Sequence, residues 1–420
     1  MTPERVARWI RGARVPWVLG LALYALAGAR RAAAQTDSLA DTARPRYLLP
    51  DLRPDALVFE GKSWVFKPII GILTDYSWFD QDQASRAQVG DQADQADLRA
   101  ARFGLGARLK ARPRVEFLAV LDYVESKRRD DLAYEVLDLM LSMPLGNAKI
   151  TIGKQKQPFV YEMVALAALL PQQERILSPF FLSRDVGVRV SGRLPGDRVT
   201  YWLGWFNDWF LTDRSLAEGG NDYVMRFTAQ PLASADGRAY LHVGLGGRYQ
   251  EAEDGVLRFR GRPESNVADY YVDSGDLPAS HAVEVALEAL GTWRRWSLLG
   301  EWVRASVHGG VGQPRFSGAY ATFAWVVARD HRPYDRALGG GRNPVPHGRL
   351  GALELIARYA HVDISNAGVD GGVLGKWYLG VNWWASRQWK MGAGYGIADL
   401  ARGGTDGRTG IAIARLQWLY

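Results

Sequence analysis

The side chains in this sequence best suited to chemistry are charged groups that flank and interrupt an apolar stretch. Cations placed there could replace the lost hydration of an anion, and arginine can hold a phosphate through two parallel hydrogen bonds. Alternatively, Glu174 and Arg175 serve only structure and pin the stretch through salt bridges. The candidate set, four positive charges against two negative ones, comprises Lys154, Lys156, Glu162, Glu174, Arg175 and Arg184.

The stretch itself, residues 158–182, is too apolar for a loop exposed to water. Within it, "EMVALAALL" favours a short helix because of its helix-forming residues. An apolar segment must bury its surface, either inside the protein or against a partner. We therefore expect it to fold into the interior and narrow it, with packing at a subunit contact as the alternative.

Two further cations lie on a segment with strict alternation, "LRAARFGLGARL". Phe103 and Leu105 fall on one face, and Arg102 and Arg108 on the other, which is the period of a β-strand. Similar segments of about ten residues recur along the chain, with their charges opposite the apolar stripe. This arrangement is typical of strands between lipid and a watery lumen, where Arg102 and Arg108 would line a basic track.

Counting these segments predicts an all-β fold, a transmembrane antiparallel β-barrel of about sixteen strands with an infolded constriction loop at 158–182. Short turns are expected at 110–113, 143–147, 194–197 and 385–388, and longer polar loops at 80–97, 207–221, 250–278 and 399–408. Residues 328–349 form a long connection on the short-turn side. The expected strand starts are near 67, 98, 114, 132, 147, 185, 198, 222, 239, 279, 296, 317, 350, 374, 389 and 409.

The N-terminus indicates export. Residues 1–34 have an arginine-rich start, an apolar run and a final "AAA", which is the layout of a cleaved signal peptide, with an anchor helix as the alternative. A polar segment, 35–64, would then precede a barrel at 65–420. The chain carries 52 Lys+Arg and 45 Asp+Glu, but 1–34 holds six Arg and one Glu, so 46 against 44 remain. A charge of only +2 gives no reason to expect a nucleic-acid partner.

The C-terminus, "IAIARLQWLY", alternates to its last residue. Tyr420, Trp418 and Leu416 would face lipid, while Gln417 and Arg415 face inward. We expect this segment to close the barrel and Tyr420 to be recognised by the barrel-assembly machinery of a bacterial outer membrane. The absence of cysteine from the sequence is compatible with that location.

Several motifs resemble the phosphate-selective porin O/P family in order and spacing over about residues 65–420. They are "GKQKQPF", "QQER" and "RDVGV", then "FSGAYATFAWVVARDHRPYDRALGG", "GALELIARYAHVDI" and "LGVNWWASRQWKMGAGY". The resemblance implies a sixteen-stranded porin, usually trimeric, with an infolded third loop and a lumen that attracts small anions such as phosphate. This sequence departs from the family at Ala328-Arg329-Asp330, and it has nine Lys against 43 Arg where phosphate-selective members use lysines.

The sequence gives weaker support for other classes of protein. No motif for a hydrolase, a metal or a phosphate-binding glycine loop is found, so neither cofactor nor metal is expected. A barrel-wall lipid or ester hydrolase built on His361, Asp363 and Ser365 is one alternative. A structural or adhesive barrel with large exposed loops, such as 250–278, is another.

Overall fold

The structure, a computed structural model, describes residues 57–111, 113–124, 133–207, 220–310, 312–327, 331–346 and 350–420. The expected signal peptide, most of segment 35–64 and Ala328-Arg329-Asp330 lie outside these residues. No helix in the described ranges is both long enough and apolar enough to span a membrane.

Sixteen long antiparallel strands form one closed sheet, as predicted, because the first strand pairs with the last. Each begins within five residues of its expected start. The short strand Phe59–Glu60 adds to the first of them. The barrel strands are β1 Trp64–Gln81, β2 Gln95–Leu109, β3 Glu116–Val124, β4 Ala133–Leu145, β5 Ala148–Gln155, β6 Asp185–Arg193, β7 Val199–Asn207, β8 Asn221–Ala233, β9 Ala239–Glu251, β10 His281–Trp293, β11 Trp296–His308, β12 Arg315–Val326, β13 Ala352–Asn366, β14 Val369–Trp384, β15 Trp389–Arg402 and β16 Thr405–Leu419.

Alternation along the strands separates an apolar outer face from a polar inner one. On β16, Leu416 is 42% exposed, whereas Arg415 and Gln417 are buried inside the barrel. Outward tryptophans cluster at the short-turn end, where the rings of Trp296 and Trp325 stack 5.0 Å apart. Aromatic rings at this height are typical of the boundary between hydrocarbon and headgroups.

One predicted loop is wrong. Residues 399–408 were expected to form a long polar connection, but β15 and β16 continue through them and pair from Asp399↔Arg408 to Arg402↔Thr405. Only Gly403 and Gly404 remain as a turn, with φ angles of 63° and 69°. Two residues with positive φ form the tight turn that matches strand twist, so no longer loop is needed.

The long connection on the short-turn side is present and enters the barrel. Its described part, 331–346, contains two short paired strands, Tyr334–Asp335 and Gly340–Gly341. Arg332, Asp335 and both glycines are buried. The short-turn end of the lumen is therefore partly filled by its own connecting segment.

The predicted helix in "EMVALAALL" is only partly formed. An α-helix covers Tyr161–Val164, and a 3₁₀ turn follows at Ala167–Leu169. The backbone is extended at Ala165, which ends the first helix. Lys156 and Arg175 donate hydrogen bonds to carbonyl groups that a continuous helix would pair with its own N–H groups. A separate helix, Gln83–Val89, lies between β1 and β2.

Candidate functional site: the lumen of the barrel

The apolar stretch crosses the inside of the barrel. It leaves β5 at Gln155 and returns to β6 at Asp185, and we call residues 156–184 the infolded loop. Donors on strands across the lumen reach its carbonyl oxygens. They are Gln417 to Ala168 (3.1 Å), Lys390 to Leu170 (3.2 Å), Asn382 to Pro171 (2.8 Å) and Arg415 to Gln173 (2.6 Å).

Apolar side chains explain why this loop stays inside. Phe159, Val160, Met163, Leu177 and Phe180 are almost fully buried. They belong to one cluster with inward residues of β10 to β13, including Ala286, Leu290, Val303 and Tyr320. Burying a side chain of this size contributes roughly 1.5–3 kcal/mol, which favours a loop packed inside the barrel. Its contacts are with the barrel interior, which does not support the alternative of a subunit contact.

Lys156 and Arg175 hold the fold of the loop from within. The Lys156 ammonium donates to the carbonyl oxygens of Met163 (2.8 Å), Val164 (3.3 Å) and Ala165 (3.1 Å). Arg175 donates to the carbonyl oxygens of Glu162 (2.5 Å) and Ala165 (3.0 Å). Both cations satisfy acceptors that are left open where the short helix ends.

Glu162 ties the loop to the far wall. Its carboxylate is fully buried and accepts from Arg358 (2.7 Å), from Gln172 (3.2 Å) and from the backbone of Leu177 (2.9 Å). Arg358 also bonds Glu264 at 2.8 Å. Because every charge in this group has a partner, Glu162 serves as a structural anchor.

Glu174 also bridges the loop to the wall. It binds Arg99 of β2 at 2.5 Å and Arg415 of β16 at 2.6 Å. Arg415 in turn binds Asp75 at 2.6 Å. The pinning interpretation therefore describes Glu174, while Arg175 makes its bonds inside the loop and also lines an open cavity.

Each of the other candidate cations lies next to or opposite an acidic residue. Arg184 pairs with Asp138 at 3.0 Å, and Arg102 pairs with Asp122 at 2.8 Å on the inner wall. Arg108 stands opposite Glu116 in the strand register. Lys154 stands opposite Leu139, which is 41% exposed on the outer face, and its ammonium lies 3.4 Å from Glu135. Of the six residues predicted at the stretch, Lys154 does not reach the infolded loop's interior.

Sequence analysis missed a second basic segment. Residues 250–278 were expected to form an exposed external loop, but Phe259, Ala268 and Tyr271 are buried in the same cluster as the infolded loop. This segment and the infolded loop enclose a cavity of about 550 Å³. The arginines lining it are Arg99, Arg175, Arg248, Arg258, Arg260 and Arg262. The period of two in "RFRGR" could have signalled one arginine-bearing face.

The three arginines of this segment are held by neighbours within the same loop. The guanidinium groups of Arg260 and Arg262 each lie 4.4 Å from the ring of Tyr270. Arg258 binds Asp273 at 2.6 Å. That hydrogen bond raises the pKa of the Arg258 guanidinium and lowers the pKa of the Asp273 carboxyl.

A third buried network fixes the connection at the short-turn end. Arg226 binds Glu288 at 2.6 Å and donates to the carbonyl oxygen of Gly339 at 2.7 Å. His242 lies between Glu288 (2.7 Å) and the hydroxyl of Tyr334 (2.9 Å). The segment 331–346 is thereby anchored inside the barrel.

Two of the residues considered for hydrolase chemistry, Asp363 and Ser365, have structural partners. Asp363 accepts from the backbone N–H of Ser365 (2.9 Å), and the Ser365 hydroxyl accepts from the N–H of Gly372 (2.9 Å). These bonds shape the end of the β13–β14 hairpin. Within the part of the chain that the structure describes, no group of three His, Cys, Asp or Glu residues could hold a metal ion.

Comparison with known proteins identifies the family. The model of the phosphate-selective porin O and P family matches residues 71–418, most of the chain. The chain belongs to this family. An uncharacterized protein of Caulobacter vibrioides is 28% identical over 200 residues, which are 43% of this chain and 40% of that protein. The match thus spans about two fifths of the relative's length.

Solved outer-membrane proteins share the fold. The anion-selective porin of Comamonas acidovorans has a TM-score of 0.56 at 12% identity, covering 85% of this chain and 100% of that one. A trimer form of OmpT of Vibrio cholerae has a TM-score of 0.53 at 13% identity, covering 86% and 100%. The outer membrane channel DcaP of Acinetobacter baumannii has a TM-score of 0.53 at 10% identity, covering 86% and 99%. Family and fold together place this porin-family barrel in an outer membrane.

Proposed function

We propose that this porin-family barrel lets small hydrophilic solutes diffuse through the outer membrane and prefers anions, phosphate among them. The observation that carries the proposal is the arginine-lined cavity between the infolded loop and the segment 250–278. A charge in a narrow, water-poor space acts more strongly on a passing ion than a charge in open water does. Local charge therefore decides the ion preference, even though the chain without residues 1–34 carries little net charge.

The sign of that local charge follows from the partners of the cavity's acids. Glu174 binds Arg99 and Arg415, Asp222 binds Arg248, and Glu264 binds Arg358 and Lys376. These carboxylates are neutralised by the barrel wall. These pairs account for three of the six acids that line the cavity. Arg260 and Arg262 present their guanidinium groups to the cavity over Tyr270, and we infer that they make the charge offered to a solute positive.

We expect a modest preference for anions over cations rather than strict selectivity for phosphate. Arginine suits phosphate because its planar group can donate two parallel hydrogen bonds. Six acidic residues also line the cavity and oppose its six arginines. Lys154 and Lys156 were two of the four predicted cations, but their ammonium groups lie against Glu135 and loop carbonyl groups. We therefore assign the larger role to Arg260 and Arg262, with a smaller one for Arg258, which is paired with Asp273 and Asp276.

Assembly as a homotrimer, insertion through the assembly machinery and export by a cleaved signal peptide complete the proposal. The trimer form of the Vibrio cholerae relative supports the first. For the second, the backbone of Tyr420 pairs with Ile70 and leaves the terminal aromatic ring next to Trp418, with the ring centres 6.0 Å apart. Native mass spectrometry of the purified protein should give the mass of three chains, and a monomer mass would contradict the trimer.

Reversal potentials in a potassium chloride gradient test the ion preference. The wild-type channel should favour chloride. Replacing Arg258, Arg260 and Arg262 together by Gln should shift the reversal potential towards potassium, because three cations leave the cavity. A matched triple variant, Arg238→Gln with Arg294→Gln and Arg295→Gln, removes three exposed arginines from short turns and should keep the wild-type potential. A wild-type channel that already favours potassium would overturn the proposal.

A further inference from the structure

A second polar cavity, of about 790 Å³, opens on the barrel at its long-loop end, between β11 and β12. It is separate from the arginine-lined cavity of the lumen and shares none of its residues. The residues that matter for its chemistry are Trp302, Arg304, Gln313, Arg315, Ser317 and Asn366.

Strand alternation puts this cavity on the outer face. Trp302 is 38% exposed and Arg304 is also exposed, whereas Val303 and Ala305 are fully buried inside the barrel. Arg315 is exposed next to Phe316, which is 1% exposed. Arg304 stands opposite Ser317, and Arg315 stands opposite Ser306, so the two arginines are diagonal neighbours on one surface.

The height of this surface matches lipid headgroups. Arg304 lies eight residues beyond Trp296 on the same face of β11, and Arg315 lies ten residues from Trp325 on β12. With about 3.4 Å per residue and a tilt of about 40°, these separations correspond to roughly 21–26 Å across the membrane. The apolar band of such a barrel is about 25 Å tall, so both guanidinium groups reach its upper border.

The two arginines lack a negative partner of their own. Among the described residues, neither guanidinium forms an ion pair, and the neighbouring Asp363, opposite Ser317, uses its carboxylate on the backbone of Ser365. By contrast, Arg408, exposed at the same end of the barrel, is paired with Asp399 at 2.6 Å. Two cations without an ion-pair partner at the border of the apolar band attract anionic headgroups of the surrounding membrane.

We propose that this cavity binds the phosphate-bearing headgroup of an anionic membrane lipid. Arg304 and Arg315 hold the phosphate, each able to donate two hydrogen bonds, and the amphipathic ring of Trp302 lies at the level of the headgroup. The acyl chains run down the apolar outer surface formed by Val285 and Leu287, which are 41% and 50% exposed and stand opposite Arg304 and Trp302. The site depends on the membrane location of the barrel and is independent of its ion preference.

Native mass spectrometry of the purified, delipidated protein tests the site. Palmitoyl-oleoyl phosphatidylglycerol should bind more tightly than phosphatidylcholine with the same chains. The double variant Arg304→Gln with Arg315→Gln should weaken phosphatidylglycerol binding about 25-fold, since each basic residue at a membrane surface contributes about fivefold. The double variant Arg304→Lys with Arg315→Lys keeps the charge but loses the bidentate geometry. Its affinity for phosphatidylglycerol should lie between those of the wild type and the Gln double variant.

A matched control removes two arginines that already have acidic partners, Arg86 and Arg408. Their replacement by Gln should leave phosphatidylglycerol binding unchanged, and all variants should keep heat-modifiable gel mobility and wild-type conductance. Equal binding of the two lipids, or equal loss in the control, overturns the proposal. Inorganic phosphate that competes as well as the lipid would indicate a site for soluble anions. A change in subunit number of the Arg304 and Arg315 variant without loss of lipid binding would indicate a subunit contact. Phosphate competition or such a change in subunit number would also overturn the proposal.

Discussion

At the scale of single residues, Lys156 and Lys154 show how similar side chains two positions apart take different roles. Lys156 satisfies three carbonyl oxygens inside the infolded loop. Lys154 has 11% of its side chain exposed and lies near the exposed Glu135. A hydrogen bond inside the protein is costly to lose because its acceptor stays buried, whereas an ion pair to an exposed carboxylate at 3.4 Å contributes little.

We therefore expect Lys156→Met to destabilise the folded barrel by about 1–3 kcal/mol, the typical cost of a buried acceptor without its donor. Urea unfolding in detergent measures this change, and proteolysis of residues 156–184 should become faster. Lys154→Met is the control and should change stability by less than about 1 kcal/mol. Equal effects of the two substitutions would show that Lys156 does not hold the loop.

At the scale of elements, two segments enter the lumen from opposite ends and meet. The hydroxyl of Tyr161 in the infolded loop donates to the carbonyl oxygen of Gly341 at 2.8 Å. Arg332 donates to Leu169 at 3.4 Å and binds Glu354 on the wall at 2.6 Å. The two loop segments thus contact each other inside the barrel, while the strands provide the frame.

Deleting residues 165–170 should raise single-channel conductance in a planar bilayer. The deletion removes loop backbone from the lumen and leaves the pairing of all sixteen strands untouched. Deleting six exposed residues before the barrel, 57–62, should leave conductance unchanged. A folded barrel with wild-type conductance after the first deletion would show that the loop does not restrict flow.

The contact between the two segments can be tested at Gly340. A Cβ atom there would lie 2.2 Å from the ring of Tyr161, so a larger residue must displace one of the two segments. Gly340→Val should destabilise the barrel by about 1–3 kcal/mol, as overpacking usually does. The midpoint of the heat-modifiable gel transition measures the effect. Gly291→Val, at a position with nothing within 4 Å of an added Cβ, is the control and should be neutral.

At the scale of the whole molecule, closure of the barrel depends on the last residues of the chain. Tyr420 and Ile70 exchange two backbone hydrogen bonds of 2.7 and 3.0 Å, and Leu419 donates to Gln388 at 2.9 Å. These bonds join β16 to both of its neighbours at the short-turn end. A closed sheet has no free edge, so shortening the closing strand exposes backbone groups to lipid.

Deletion of residues 418–420 should strongly reduce the amount of assembled, heat-modifiable barrel in outer-membrane fractions. The loss combines missing hydrogen bonds with removal of the terminal aromatic residue. Tyr420→Phe keeps both the backbone and an aromatic ring and should assemble normally. If the truncated chain assembles at the wild-type level, neither the closing pairs nor the terminal ring is required.

Much of the fold could be predicted from the sequence because the strands depend on the local pattern of apolar and polar residues. A period of two places Arg415 and Gln417 inside and Leu416 outside, and this pattern located all sixteen strands. The apolar composition of residues 158–182 likewise required burial and predicted an infolded loop. These features depend on the free energy of moving side chains from water to apolar surroundings. Residue type and spacing determine which side chains make that move.

Only the tertiary structure decided which charges act on a solute and which hold the protein together. Glu174 finds Arg99 and Arg415, which are 75 and 241 residues away along the chain. No local pattern encodes such pairs, since they exist only once the barrel has closed. Folding of the infolded loop turned Lys156 into its support, and the closed barrel placed Arg258, Arg260 and Arg262 at the lining of one cavity. Electrostatic roles depend on distance and burial in three dimensions, so they were settled by the fold.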